Sequence, residues 1–449
     1  MADLKVKSDL EAESTVEKKK VYNHYIRSLK DSGGLPSTNN FNDFESNRVK
    51  GADGFAKVKA PDGTTIAEKL KAAAPPEAAL AKDKIAGALK ETDPYKNAKK
   101  AFNTNLANLN TLLQSGKYTL CDAGSYLLDA KNTAVSAIKA QHAQEKDKLT
   151  KLFDETQGPE SVAFRNEMKT ALGCSDAQLN AIKNEMISEL TKSQNEELKK
   201  FEKSLQDDAN KLFKRAEQEW YRLSFLGQRY SISSNSIFSK QLSKEIEAIS
   251  ANANQHGENL SIGTGKKGSA LLKNVDPAKL QTHITLSGKT LQAGEDGSLS
   301  TQFRRWFQSD ADIYETITSM AEEMKARGCE SITIRVNNAT DPKLAAEIGR
   351  KAYESAILAG FDPKKITIEV NGEPKYKHDD KGKPEKTDLF KEHPQRLKFA
   401  QEKATQIAAN RDAALKNPAN QANLKNELQR LRQEQEAAEQ AAPANLGVN

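Results

Sequence analysis

The chain has 449 residues, of which 37% are hydrophobic, 6% aromatic and 29% charged, and a length of this order suggests about three structural units. No apolar run approaches the roughly 20 residues of a membrane-spanning helix, and the N-terminal segment lacks the apolar core of a Sec-type signal peptide, so we expect neither a transmembrane segment nor such a signal. The surplus of 6 positive charges, 68 basic against 62 acidic residues, is small for a dedicated nucleic-acid binder.

The first predicted unit, residues 1–62, is a helix followed by a flexible arm. The helix is predicted over about 8–31, because two glycines and a proline follow it closely. Residues 37–63 are rich in Asn, Asp, Ser and Gly and show no sustained periodicity. We therefore expect this stretch to be a loosely packed linker.

The second predicted unit, residues 63–230, is a helical bundle with one very long helix at about 175–228. No glycine or proline interrupts the chain between Gly173 and Gly227, so a helix there would be about 80 Å long. Its apolar residues follow an eleven-residue repeat, close to the natural helical period, with an interruption at Gln194. They are Ile187, Leu190, Leu198, Phe201, Leu205, Ala209, Leu212, Ala216, Trp220 and Leu223.

This apolar stripe must be covered, because an exposed stripe of such size would cause association. Two predicted helices at about 95–115 and 120–156 are the expected cover, which gives an elongated antiparallel bundle. Self-association or a partner helix is the alternative.

The third predicted unit, residues 231–376, is a small α/β domain. Ile332, Ile334 and Val336 alternate with polar residues, as in a half-buried strand, and the same alternation returns over 366–370. A helix beginning after Asp341-Pro342 lies between them, so the two strands form a βαβ unit and are expected to be parallel. The fold class is therefore mostly α with a small α/β domain, and residues 377–449 return to helix as a tail.

Two local patterns in the third unit suggest binding. One is a glycine-rich loop that follows a predicted strand and could approach a phosphate group closely: Gly263, Gly265, Lys266, Lys267 and Gly268. The helix that follows is too short for a dinucleotide fingerprint, so a plain loop is the alternative. The other is Arg304, Arg305 and Trp306, which are residue types enriched in partner contacts, although packing of the aromatic ring in the core is the favoured alternative.

No catalytic or metal site is predicted from local spacing. Cys121, Cys174 and Cys329 lie too far apart for a zinc motif, and no paired-carboxylate or Ser/His/Asp pattern is visible. His378 beside Asp379 and Asp380 lacks convergent ligands, so we predict neither metal nor cofactor. Of the three thiols, Cys329 is the best-placed nucleophile because it lies between a predicted helix and a predicted strand.

The C-terminal segment Glu434-Gln-Glu436-Ala-Ala-Glu439, followed by small residues, resembles an E-block translocation signal. Such signals mark effectors of the Dot/Icm (type IVB) secretion systems of intracellular bacteria. The resemblance implies a protein made in the bacterial cytoplasm and secreted into a host cell, with Glu434, Glu436 and Glu439 read by a secretion-system receptor. We expect the tail to stay accessible and its loss to leave the fold intact.

Residues 330–370, with their strand, helix, Gly360-Phe361 turn, Pro363 and second strand, resemble a second family. This family is the large polyvalent protein-associated α/β domains of conjugation relaxases and secreted effectors. Cys329 and Phe361 stand where aromatic residues and Gly-Tyr turns are usual in that family. The family has no established catalytic residues, so the resemblance implies none.

Three functional hypotheses follow. The first is a secreted effector that acts as a protein-binding module on a host protein, and the second is an enzyme with a pocket in the 231–376 domain, around Gly263–Gly268. The third is a nucleic-acid-associated protein related to conjugation accessory domains, which the small net charge disfavours.

Overall fold

The computed structural model divides into two compact units, which share the long helix. The α/β unit comprises residues 1–32 and 214–417, and the helical unit comprises residues 33–213 and 418–449. The predicted fold class, mostly α with a small α/β domain, is confirmed. The structure describes residues 2–8, 35, 40–73, 79–114, 118, 120–231, 240–242, 244–245, 248, 275–303, 309–337, 341–416 and 418–441.

The helices and strands are numbered in chain order over these residues. The helices are α1 (Asn40–Asn47), α2 (Ile66–Ala72), α3 (Ala79–Ala88), α4 (Asp93–Gln114), α5 (Leu120–Leu152), α6 (Pro159–Leu172), α7 (Asp176–Ser231), α8 (Asp310–Ala326), α9 (Pro342–Leu358), α10 (Pro394–Leu415) and α11 (Pro418–Ala441). The strands are β1 (Ala2–Ser8), β2 (Gln292–Ala293), β3 (Leu299–Phe303), β4 (Ile332–Asn337), β5 (Ile366–Val370), β6 (Glu373–His378) and β7 (Pro384–Lys386).

The predicted long helix is observed as α7, and its apolar stripe is buried over the helical unit. Phe201, Leu205 and Leu212 lie in a core shared with α1, α4, α5 and α11. An earlier part of α7 contributes Leu179 to Leu190 to a second core, shared with α2, α3 and α6. The two predicted covering helices are α4 and α5, and α11 adds to the cover through Leu424 and Leu428.

The segment predicted to be a flexible arm is instead part of the helical unit. Phe41 of α1 is fully buried, and its ring centroid lies 5.3 Å from that of Phe201. Phe55 and Val58 are buried in the second core. The prediction was wrong over 40–63 because a few large aromatic side chains anchor an otherwise polar segment. The predicted helix over 8–31 lies outside the described residues apart from Ser8, which ends β1.

A buried polar cluster lies where the apolar stripe of α7 is interrupted. Arg48 Nη1 donates to Glu145 Oε1 at 2.5 Å and to the carbonyl of Leu89 at 3.0 Å. Gln194 Nε2 donates to the other carboxylate oxygen of Glu145 at 2.7 Å, which accounts for the polar residue in the stripe. Burial holds the pKa of Glu145 above its usual value even with these donors.

Two further titratable groups lie near this cluster. Burial, with the charge of Glu145 adding to it, raises the pKa of Glu197 to about 7. Burial lowers the pKa of His142 to about 4. The two shifts act oppositely on stability: Glu197 stabilises the fold when protonated, and this contribution is lost as pH rises from about 4.5 through 7. His142 stabilises the fold when neutral, and its contribution is lost as pH falls from about 6.5 through 4.

Changing Glu197 to glutamine is expected to alter the pH dependence of stability. The variant keeps the side-chain shape but has no buried charge to form, so it should gain stability over the parent protein as pH rises from 5 to 8. The gain should approach about 3 kcal/mol. Urea unfolding at several pH values measures it, with Glu202→Gln on the same helix as control. Parallel curves for the parent protein and Glu197→Gln would contradict the shifted pKa.

The α/β unit is built on one sheet with the strand order β2-β3-β1-β4-β5-β6-β7. The predicted parallel pair is confirmed, since β4 pairs with β5 in the register Ile332 opposite Ile366. Strand β1 pairs antiparallel with both β3 and β4, so β3 and β4 run in the same direction on either side of it. Helix α8 connects β3 to β4, and helix α9 connects β4 to β5.

The core of the α/β unit lies between the sheet and these helices. Ile332, Ile334 and Val336 of β4 are fully buried with Ile317 and Met320 of α8. Helix α10 packs beside α9. This unit extends beyond the predicted 231–376 domain, because it includes the last part of α7 and all of α10.

Candidate functional site

A cleft of about 950 Å³ lies at the amino-terminal edge of the parallel strands of the α/β unit. Its walls come from the end of α7, the turn between α8 and β4, the turn between α9 and β5, the end of β6, and one face of α10. Its lining residues are Lys214, Glu217, Gln218, Tyr221, Lys325, Gly328, Cys329, Glu330, Ile357, Gly360, Phe361, Asp362, Pro363, Lys364, Lys365, His378, Gln401, Ala404, Thr405, Ile407, Ala408 and Arg411.

Two glycines let α7 approach these turns. Gly328 ends α8 with φ +94°, and Gly360 ends α9 with φ +90°, a backbone conformation that side chains with a Cβ disfavour. A Cβ on Gly360 would lie 2.1 Å from Oη of Tyr221, and one on Gly328 would lie 2.1 Å from Nε2 of Gln218. The same sequence feature therefore ends each helix and makes room for the side chains of α7.

Changing Gly360 to alanine is expected to destabilise the α/β unit and displace Tyr221. The loss has a conformational part of about 1–2 kcal/mol and an additional steric part from the overlap with Tyr221. Gly372→Ala separates the two, because Gly372 has φ +83° but nothing within 4 Å of a Cβ. Chemical unfolding measures both variants. Equal losses in the two would show that α7 does not press on the turn.

The charged side chains of the cleft are unevenly paired. Glu330 forms ion pairs with both Lys214 and Lys365. The distance from Lys365 Nζ to Glu330 Oε2 is 3.1 Å. Arg411 Nη1 lies 2.5 Å from Oε1 of Glu217. The lining carries five cationic side chains and three carboxylates, so it has a positive surplus.

Among the described residues, Lys325 and Lys364 are the two lining cations without an ion pair, and Lys325 is the one that faces aromatic rings. Its Nζ lies 5.0 Å from the ring centroids of both Tyr221 and Phe361, and within the described residues no carboxylate is within ion-pair distance of it. Burial lowers the pKa of Lys325. The last turn of α8 favours a cation through the helix dipole. The arrangement keeps a half-buried ammonium group in a cleft with its charge available to a ligand.

The end of the cleft away from Lys325 lies around His378 and Gln401. Gln401 of α10 lines this end with His378, whose ring centroid lies 5.2 Å from that of Tyr376. Burial lowers the pKa of His378, and its Nδ1 is buried without a hydrogen-bond partner among the described residues. Lys364 and Asp362 lie near it with opposite charges. The positive surplus of the cleft is therefore at the Lys325 end.

The structure brings some predicted residues into this cleft and leaves others out. Cys329 and His378 line it, but no group of three potential metal ligands occurs in the part of the chain that is described. Two sets of predicted contacts lie outside the described residues. They are the possible phosphate loop, Gly263, Gly265, Lys266, Lys267 and Gly268, and the possible partner contacts Arg304, Arg305 and Trp306.

The predicted export segment lies on α11, which packs on the helical unit, and the tail after Ala441 lies outside the described residues. Gln435 of α11 exchanges amide hydrogen bonds with Asn108 of α4 at 3.1 and 3.3 Å, and Leu431 packs on the core. The three glutamates are solvent-exposed or half-exposed but paired: Glu434 with Arg430, Glu436 with Arg432 and Glu439 with Lys100. Removing residues 430–449 would therefore cost stability, contrary to expectation, because it takes away core and amide contacts.

No family model, curated protein or solved structure matches this chain. The resemblances to secretion effectors and to polyvalent-protein domains thus gain no support from known relatives. Among the described residues, no helix combines the length and apolar character that a membrane crossing requires.

Nothing in the local sequence marks Lys325, Tyr221 or Arg411 as site residues. They lie on three helices separated by more than 80 residues at each step, so no local spacing connects them. The usable signal was the repeated helix–glycine–strand pattern, which places Gly328 and Gly360 at the same edge of the sheet.

Proposed function

We propose that the α/β unit binds a small organic anion in the cleft. The observation that carries this proposal is Lys325, a half-buried ammonium group without a carboxylate partner among the described residues. A cation in such a place is stabilised by an anion that enters the cleft, because charge-assisted hydrogen bonds strengthen away from bulk water. The volume of about 950 Å³ suits a molecule of metabolite size.

The proposal predicts a positive signal with simple anions. Carboxylates and phosphate esters should raise the melting temperature of the full chain, whereas amines of similar size should not. Lys325→Met should weaken the binding of every responsive anion at least tenfold. The matched control is Lys343→Met, which removes an exposed lysine at the N-terminal end of α9, about 22 Å along the helix from Leu358.

The pH dependence of binding gives a second readout. The anion binds the protonated amine, so affinity should fall as pH rises through the lowered pKa of Lys325. Isothermal titration between pH 7 and pH 10 measures this fall, and it should be absent in Lys325→Met. Equal affinities in Lys325→Met and Lys343→Met would overturn the proposal.

We also propose that the chain is an exported effector, with α11 carrying the recognition surface. What supports this proposal is the exposure of Glu434, Glu436 and Glu439 on one docked helix. Their ion pairs reduce the local negative field, so a receptor would have to compete with Arg430, Arg432 and Lys100.

The test uses substitutions that leave α11 in place. Changing the three glutamates to glutamine should reduce delivery of a reporter fusion into host cells without changing the melting temperature. The control changes three glutamates of α7 that are exposed or half-exposed, Glu185, Glu196 and Glu202. Delivery of the α11 variant at the parent level would remove the support for export through this segment.

A further inference from the structure

The cleft has an apolar wall that a bare inorganic ion would leave unused. One face of α10 presents Ala404 and Ala408 to the cleft, with Gln401 before them and Arg411 after them. These positions are spaced by three, four and three residues, so they share a face of the helix. The face runs about 15 Å from Gln401 to Arg411.

The charged and apolar parts of the cleft are arranged in sequence along this face. Arg411, which pairs with Glu217 and Asp412, lies near Tyr221, against whose ring Lys325 is placed, so Lys325 lies at the Arg411 end of α10. Phe361, at 5.0 Å from Lys325 Nζ, continues the lining with an aromatic ring. The other end, at Gln401 and His378, has no surplus charge.

We infer that the ligand is an amphiphilic organic acid. Its anionic head group binds at Lys325, and its apolar body lies along Ala408 and Ala404 toward Gln401. This inference rests on the proposed anion-binding function and adds the class of ligand, which is an acid with an extended apolar body rather than a compact polyanion. An apolar body is favoured because it removes the half-buried alanine face from water.

A series of unbranched carboxylates from butanoate to dodecanoate tests whether the cleft buries an apolar body of the ligand. Affinity for the full-length protein should rise by up to about fourfold per methylene, the gain from complete burial of that group, and then level off when the chain reaches Gln401. Octanol should bind at least tenfold more weakly than octanoate, and octylamine should not bind.

Substitutions on α10 test whether the apolar body of the ligand lies along this helix in the cleft. Ala408→Phe should abolish the dependence on chain length, and Ala408→Val should reduce that dependence by a smaller amount. The matched control is Ala409→Phe, on an exposed face of the same helix. The melting temperatures of the three variants show whether each one is folded.

The outcomes separate this inference from the proposed function. Binding of butanoate or phosphate that requires Lys325, with no dependence on chain length, would keep the anion site and overturn the amphiphilic ligand. A dependence on chain length that survives in folded Ala408→Phe would also overturn it, because the body would then lie elsewhere. Failure of every anion to bind would overturn both.

Discussion

A single change of Leu205 to aspartate is expected to unfold the helical unit. Leu205 is 0% exposed in the core that α7 shares with α1, α4, α5 and α11. Removing a buried leucine costs about 2–5 kcal/mol, and an unpaired carboxylate in its place adds a desolvation cost of several more. Together these approach the whole stability of an ordinary domain, about 5–15 kcal/mol.

Circular dichroism and thermal unfolding measure this effect, with Asn210→Asp as the control. Asn210 is exposed on the same helix, so its change to aspartate should alter the melting temperature by no more than a few degrees. Leu212→Asp should behave as Leu205→Asp does, because Leu212 is also 0% exposed. Full helicity and an unchanged melting temperature in both leucine variants would show that the stripe of α7 is not a core.

A loss of about 3–5 kcal/mol is expected when Arg48 is changed to methionine. The change leaves Glu145, 1% exposed, without the guanidinium that donates to it at 2.5 Å. The pKa of Glu145, already raised by burial, should rise further, so the loss should be greater at pH 8 than at pH 5. Urea unfolding at the two pH values measures it.

Lys50→Met is the matched control for Arg48→Met. Lys50 lies two residues away, its side chain is 58% exposed, and its ion pair with Glu45 is at 4.0 Å, so its loss should cost little. The double variant Arg48→Met/Glu145→Leu should recover part of the stability, since it also removes the carboxylate that Arg48→Met leaves unpaired. If Arg48→Met and Lys50→Met were equally stable, the buried pair would not hold residues 40–60 in place.

The elements that sequence analysis predicted are those whose signals are local. Helix α7 follows from more than 50 residues without glycine or proline, and the parallel pair β4–β5 follows from two similar alternating segments. Strand β1 was missed because its neighbours in the sheet, β3 and β4, lie about 300 residues later. Leu4 and Val6 alternate with lysines, but two apolar residues are too few to indicate a strand.

The cleft was less predictable than the fold because its chemistry depends on which charged side chains form ion pairs with one another and which do not. Five cationic side chains line it, and nothing in the sequence shows that Glu330 pairs with Lys214 and Lys365 while Lys325 faces two rings. Burial and pairing are tertiary properties, so residue types alone cannot distinguish a ligand-binding lysine from a solvated one.

The order of the segments along the sequence affects how the protein folds during translation. Strand β1 has no partners until β3 and β4 have been synthesised, and the core that contains Phe41 is completed by Leu424 and Leu428 of α11. At about 5–20 residues per second, the ribosome needs tens of seconds to supply these missing parts. Both units therefore stay incomplete until late in translation, and contacts between such distant segments also slow folding. A nascent chain stopped before residue 418 should remain protease-sensitive in its helical unit.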